Sequence, residues 1–78
     1  MQIKVRLYTI LQKYAQGKVG KDHTVDIKKE ATLTDLLCHL TIPPHLGMVF
    51  LVNNLPQDRD YVLKEGDEVK IFSLICGG

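Results

Sequence analysis

Polar and apolar residues alternate without a break over residues 2–8, with Ile3, Val5 and Leu7 on one side and Gln2, Lys4, Arg6 and Tyr8 on the other. A period of two predicts a half-buried strand. Tyr8 is the odd member, an aromatic ring on a polar face, and it is a candidate for a partner surface. Ile10, Leu11 and Tyr14 then fall at i, i+1 and i+4, enough for a turn or two of helix within residues 9–16, which the glycines of Gly17-Lys18-Val19-Gly20-Lys21 end. Alternation returns over residues 23–28 with Val25 and Ile27 facing in. It predicts a second strand, antiparallel to the first.

The period changes after the polar link Lys29-Glu30-Ala31. Thr32 and Asp35 are spaced as a capping box in which Asp replaces the usual Glu, and Asp35 suits the positive end of the helix dipole. Leu33, Leu36, Leu37 and Leu40 follow at i, i+3, i+4 and i+7, a single apolar stripe that needs a sheet to cover. Cys38 falls on the other side of this helix. Pro43-Pro44 forbids its continuation. Met48-Val49-Phe50-Leu51-Val52 is a continuous apolar run, which predicts a strand in the middle of a sheet and buried on both faces. Asn53-Asn54 suits a tight turn, because Asn tolerates positive φ. Residues 55–61 read as irregular, with Pro56 against a central-strand role, and Val62-Leu63 as a brief edge. Lys64-Glu65-Gly66-Asp67 reads as a turn, and residues 68–72 as a last strand with Val69 and Ile71 inward.

The order strand, strand, helix, strand, short edge, strand predicts an α+β domain in which a mixed sheet of four to five strands packs on one main helix. That is the arrangement of the ubiquitin-like β-grasp. The link from the second strand through the helix to the third fits a crossover that leaves those two strands parallel within one sheet. The expected division is a β-grasp domain over residues 1–72 and a flexible tail over residues 73–78.

With 78 residues, the chain buries roughly 60–65% of its unfolded surface and has a total stability of about 4–12 kcal/mol, little to support an elaborate internal active site. The net charge is +1, with the first half mildly basic and the second mildly acidic. No concentrated basic stripe suggests nucleic acid. No apolar run approaches the ~20 residues of a membrane span, and no leader pattern opens the chain, so the expected location is cytoplasmic. Cys38 and Cys76 do not make a disulfide framework. His23, His39 and His45 are scattered, and neither a metal site nor a hydrolytic triad is spaced among them. No bound cofactor is expected.

The remaining chemistry lies in the tail. Gly77 and Gly78 carry no Cβ, so their backbone fits a channel too narrow for side chains and presents a terminal carboxylate to an enzyme. The stretch Gly66-Asp67-Glu68-Val69-x-Ile71-Phe72-x-x-Ile75-x-Gly77-Gly78 resembles the end of the ubiquitin-like sulfur carriers, the family of the molybdopterin synthase small subunit and the thiamine-pathway sulfur carrier. Val52-Asn53-Asn54 resembles that family's Val-Asn turn, and Ile3-Lys4-Val5-Arg6-Leu7-Tyr8 its opening strand.

The resemblance implies that an adenylating enzyme of the ubiquitin-activating type joins Gly78 to AMP from ATP, and that a sulfur donor then converts the acyl-adenylate to a thiocarboxylate. ATP would belong to that partner. It further implies a docking face that includes Tyr8 and Phe72, with Leu55 or Pro56 beside them and Ile75 packing as the tail enters the partner; Phe72 reads equally as a core or edge residue. Gly77 would be needed for its size. The sulfur acceptor would be the molybdopterin synthase large subunit or, alternatively, a thiazole synthase. Ser73-Leu74, where molybdopterin-type carriers often have Pro-Pro, leans toward the thiamine type. The length and the stretch from Tyr8 to Tyr14 lean toward the molybdopterin type, although Gln12 replaces an Arg common there. The same fold would also suit a non-catalytic β-grasp binding module, which resembles this chain in Gly66-Asp67-x-Val69 but normally continues beyond the last strand, and the fold and ending would suit a protein modifier joined through Gly78 to lysines. Cys76 reads as a small tolerated side chain, with receipt of persulfide sulfur as a functional role it could take instead.

Overall fold

The structure, a computed structural model, describes residues 1–8, 11–12, 22–43 and 47–74. Most of the short helix expected over residues 9–16, the break at 17–21 and the tail residues Ile75 to Gly78 lie outside them. Of the expected short helix, Leu11 and Gln12 are described; they form a 3₁₀ turn, and Leu11 is fully buried.

Among the described residues, strands β1 (Gln2–Leu7), β2 (Thr24–Asp26), β3 (Met48–Val52), β4 (Leu55–Gln57) and β5 (Glu68–Ser73) form a sheet in the order β2-β1-β5-β3-β4. Helix α1 (Leu33–Leu40) connects β2 to β3. β1 is antiparallel to β2 and parallel to β5, and β5 is antiparallel to β3. These directions make β2 and β3 parallel, as the crossover requires.

One face of the sheet is apolar. Ile3, Val5, Leu7, Val25, Phe50, Val52, Val69 and Ile71 are buried there, in one core with Leu33, Leu36, Leu37 and Leu40 of α1. The register explains the match. Val5 pairs with Val69 and Leu7 with Ile71, while Phe50 and Val52 pair with those same two residues from the other side of β5. A one-residue slip of β5 would turn both its inward residues to solvent, so the register is strongly specified.

Helix α1 starts and stops by local chemistry. Thr32 accepts from the Asp35 N–H at 3.2 Å, and the Asp35 carboxylate accepts from the Thr32 N–H at 3.0 Å. Acceptance of that N–H is the main reason the Asp35 carboxyl sits below its ordinary value. The helix ends at Leu40, before the prolines. Thr41 takes a left-handed conformation at φ 58°, with its N–H on the Cys38 carbonyl and the Ile42 N–H on the Leu37 carbonyl. That pair of bonds is a Schellman motif, usually formed by Gly. Buried Ile42 anchors the turn even though the β-branched Thr41 is strained at its positive φ.

Two sequence readings are corrected. β3 does lie inside the sheet, between β5 and β4, but it is not buried on both faces. β5 is central, and β3 leaves Val49 38% exposed and Leu51 half-buried on its outer side. Residues 55–57 are not irregular. They pair with β3 as an edge strand, where a proline costs no central ladder bond. Asn53 and Asn54 join β3 to β4 at φ 52° and 69°, the two positive values of a type I′ hairpin. Val62 makes a single bridge to Thr32. No helix among the described residues is long and apolar enough to cross a membrane.

Asp67, 6% exposed, is the buried charged residue of the described structure. Its carboxylate accepts from Asn53 Nδ2 at 3.0 Å, Tyr61 Oη at 3.2 Å and the Lys64 N–H at 2.9 Å. Gly66 before it requires φ +83°, with free space where a Cβ would lie, so backbone conformation rather than room selects glycine. Replacing Asp67 by Ala leaves its donors unmet, and urea denaturation is expected to show a loss of about 2–3 kcal/mol. Burial, then the charge and hydrogen bond of Asp67, hold the Tyr61 phenol above its ordinary value. Its contribution to stability is therefore full below pH ~10 and lost as pH rises through the folded pKa. Thr41→Gly is expected to raise stability by about 0.5–1 kcal/mol in the same assay, by relieving the left-handed turn.

Candidate docking face and tail exit

The outer side of the sheet is built by the residues that alternate with the core. Tyr8 follows β1, and its N–H bonds the Ile71 carbonyl at 3.2 Å, which sets its ring beside Phe72. The two rings stack with centroids 4.5 Å apart and planes 9° from parallel. Both are half-buried. Val49 is in register with Phe72 from β3, and Leu51 lies two residues along the same side, in register with Lys70 and Pro56. The result is an aromatic and aliphatic row across β1, β5 and β3, at the end where the chain leaves β5.

The structure therefore brings Tyr8, Phe72 and Pro56 onto one face. Leu55 is elsewhere. It pairs with Val52 and so belongs to the helix side of the sheet, at its edge, where it is 62% exposed. Ile75, Gly77 and Gly78 lie outside the described residues. The exit itself is described: β5 continues through Ser73, and the Leu74 N–H bonds the Gly47 carbonyl at 2.9 Å. Leu74 is 60% exposed.

Val49 and Leu51 are members of this face that the sequence reading did not find. The unbroken apolar run of β3 hid the alternation that would have separated them from Phe50 and Val52. Among the described residues, no group of three or more His, Cys, Asp or Glu side chains is arranged to hold a metal ion. Cys38 is exposed on α1. The arrangement offers an apolar contact surface and a chain leaving from beside it.

A model of the ThiS family matches residues 5–78. The chain belongs to the ThiS family, the ubiquitin-like sulfur carriers. Solved structures agree on the fold. A crystal structure of SAMP1 from Haloferax volcanii aligns with TM-score 0.69 and 20% identity over 100% of both chains. A crystal structure of H. volcanii small archaeal modifier protein 1 aligns with TM-score 0.70 and 19% identity, covering 95% of this chain and 98% of that one. At this identity the likeness establishes the ubiquitin-like β-grasp and nothing finer. No curated protein matches the chain. In this ThiS-family domain the Val-Asn and Gly-Asp motifs have a common cause, since Asn53 and Asp67 bond each other.

The Tyr8–Phe72 stack predicts a measurable coupling. In a double-mutant cycle with Tyr8→Ala and Phe72→Ala, chemical denaturation is expected to give about 0.5–1.5 kcal/mol of interaction energy. A value near zero would mean the rings are placed independently.

Proposed function

We propose that this chain is a sulfur carrier whose Gly78 carboxylate is adenylated by a partner enzyme of the ubiquitin-activating type and converted to a thiocarboxylate. The observation that carries this reading is the family match running through Gly77 and Gly78. The chemistry suits a main-chain carboxylate. Its oxygen attacks the α-phosphate of ATP and releases pyrophosphate, and hydrosulfide then displaces AMP, a far better leaving group than hydroxide. The product is a stronger nucleophile than the carboxylate it replaces. The folded body supplies a docking face of Tyr8, Phe72, Val49 and Pro56, and Ile75 packs as the tail enters the partner. Gly77 passes the channel because it has no side chain.

The first acceptor we propose is the molybdopterin synthase large subunit, with this chain as the small subunit in molybdenum cofactor biosynthesis. A thiazole synthase of the thiamine pathway is the alternative acceptor, favoured by Ser73-Leu74 in the tail. A second reading, attachment of Gly78 to lysines of other proteins, is suggested by the name of the similar H. volcanii modifier.

Intact mass spectrometry after incubation with ATP, the adenylating enzyme and a sulfide source tests the proposal. A gain of about 16 Da at the terminal carboxyl is expected, since sulfur replaces oxygen. No gain with an enzyme that adenylates the chain would refute it. Isopeptide adducts on lysines without thiocarboxylate would favour the modifier reading. Gly77→Val is expected to abolish the mass gain and leave the melting temperature unchanged.

A further inference from the structure

Arg6 and Lys70 stand in direct register on β1 and β5, the two strands that pair in parallel inside the sheet. Both alternate with core residues and so lie on the outer side, each two residues behind a member of the Tyr8–Phe72 stack. Arg6 is exposed and Lys70 half-buried, with its Nζ 3.1 Å from the neutral Asn54 Oδ1. Like charges directly opposite each other destabilise a sheet, and among the described residues no carboxylate lies within 4 Å of either cation to offset them. A side-chain ion pair within 4 Å joins Lys28 to Asp35, on the helix side, and includes neither Arg6 nor Lys70. Protection of a sheet edge is another use for surface lysines, but β1 and β5 are interior strands. The next outward pair toward the strand starts, Lys4 with Glu68, is complementary. The sheet thus matches charge away from the tail and opposes it beside the aromatic row.

We infer that Arg6 and Lys70 form a cationic site for a carboxylate of the partner protein that covers Tyr8 and Phe72. The docking face then selects an acidic side chain set beside an apolar contact. This rests on the proposed function, which makes the adenylating enzyme that partner. Paired cations at the border of an apolar patch strengthen electrostatic steering and suppress wrong partners more than they add contact area. They also make docking sensitive to salt.

The test uses the full chain and the adenylating enzyme, followed by ATP–pyrophosphate exchange at varied carrier concentration and salt. The chains are wild type, Arg6→Glu/Lys70→Glu and the neutral Arg6→Gln/Lys70→Gln. Charge reversal is expected to lower kcat/KM by about tenfold or more at low salt, through a higher KM at unchanged kcat. The neutral chain is expected to lose most of the salt dependence of the wild type, and to melt at or above the wild-type temperature. Equal kcat/KM and equal salt dependence in all three chains would overturn the inference and leave the carrier function standing. If the wild type supports no exchange, both fall. If the reversed chain does not fold, the salt response of the neutral chain decides alone.

Discussion

A carboxylate taken out of water must be met by donors, and much of this fold is arranged around meeting one. Asp67 draws in the hairpin through Asn53, the loop before β5 through the Lys64 N–H, and the half-buried Tyr61 ring. Its backbone carbonyl accepts the Lys4 N–H at 2.9 Å, where the parallel pairing of β1 with β5 begins. Asn53 completes the tie by accepting the Glu68 N–H at 3.1 Å through its Oδ1 and donating its own N–H to the Glu68 carbonyl at 2.8 Å. One buried charge thus sets the start of the central strand relative to both its neighbours. Removing a partner from such a group costs more than the bond itself, because the remaining groups stay desolvated.

Fixing the start of β5 also fixes its end. β5 is held on both sides, by β1 through Ile71 and by β3 through Ser73. The chain therefore leaves the sheet at a defined place beside the Tyr8–Phe72 stack, with Leu74 still bonded to Gly47. The two faces of the sheet divide the work. The inner face gives its alternate positions to a core shared with α1, and the outer face is left to present aromatic, aliphatic and cationic groups. A small domain with one core can hold a reactive end outward more easily than it can enclose a catalytic site.

Most of the architecture was legible because the two periodicities are clean. The period of two in residues 2–8 and 68–72 and the i, i+3, i+4, i+7 leucines of α1 leave little ambiguity. The apolar run of β3 hides its alternation because a strand whose outer residues are also apolar looks like one buried twice. β4 was missed because Pro56 argues against a strand, an argument that fails at an edge. The Gly66-Asp67 and Asn53-Asn54 turns were visible locally, but their bond joins positions fourteen residues apart, beyond any local pattern. The helix stop was placed near the prolines, and the residue that makes it is Thr41, a type rarely left-handed. For the site, Tyr8 stood out as an aromatic on a polar face. Arg6 and Lys70 did not, because opposition across a parallel pair depends on register.

The central claim is that the reactive group belongs to the main chain at Gly78 and that the folded body holds it out to other proteins. Replacing the cellular copy by a chain lacking Gly77 and Gly78, while measuring both cofactor production and the melting temperature of the purified domain, tests this most directly. The account predicts an unchanged melting temperature and no production of the sulfur-dependent cofactor. Continued production from the shortened chain would contradict it.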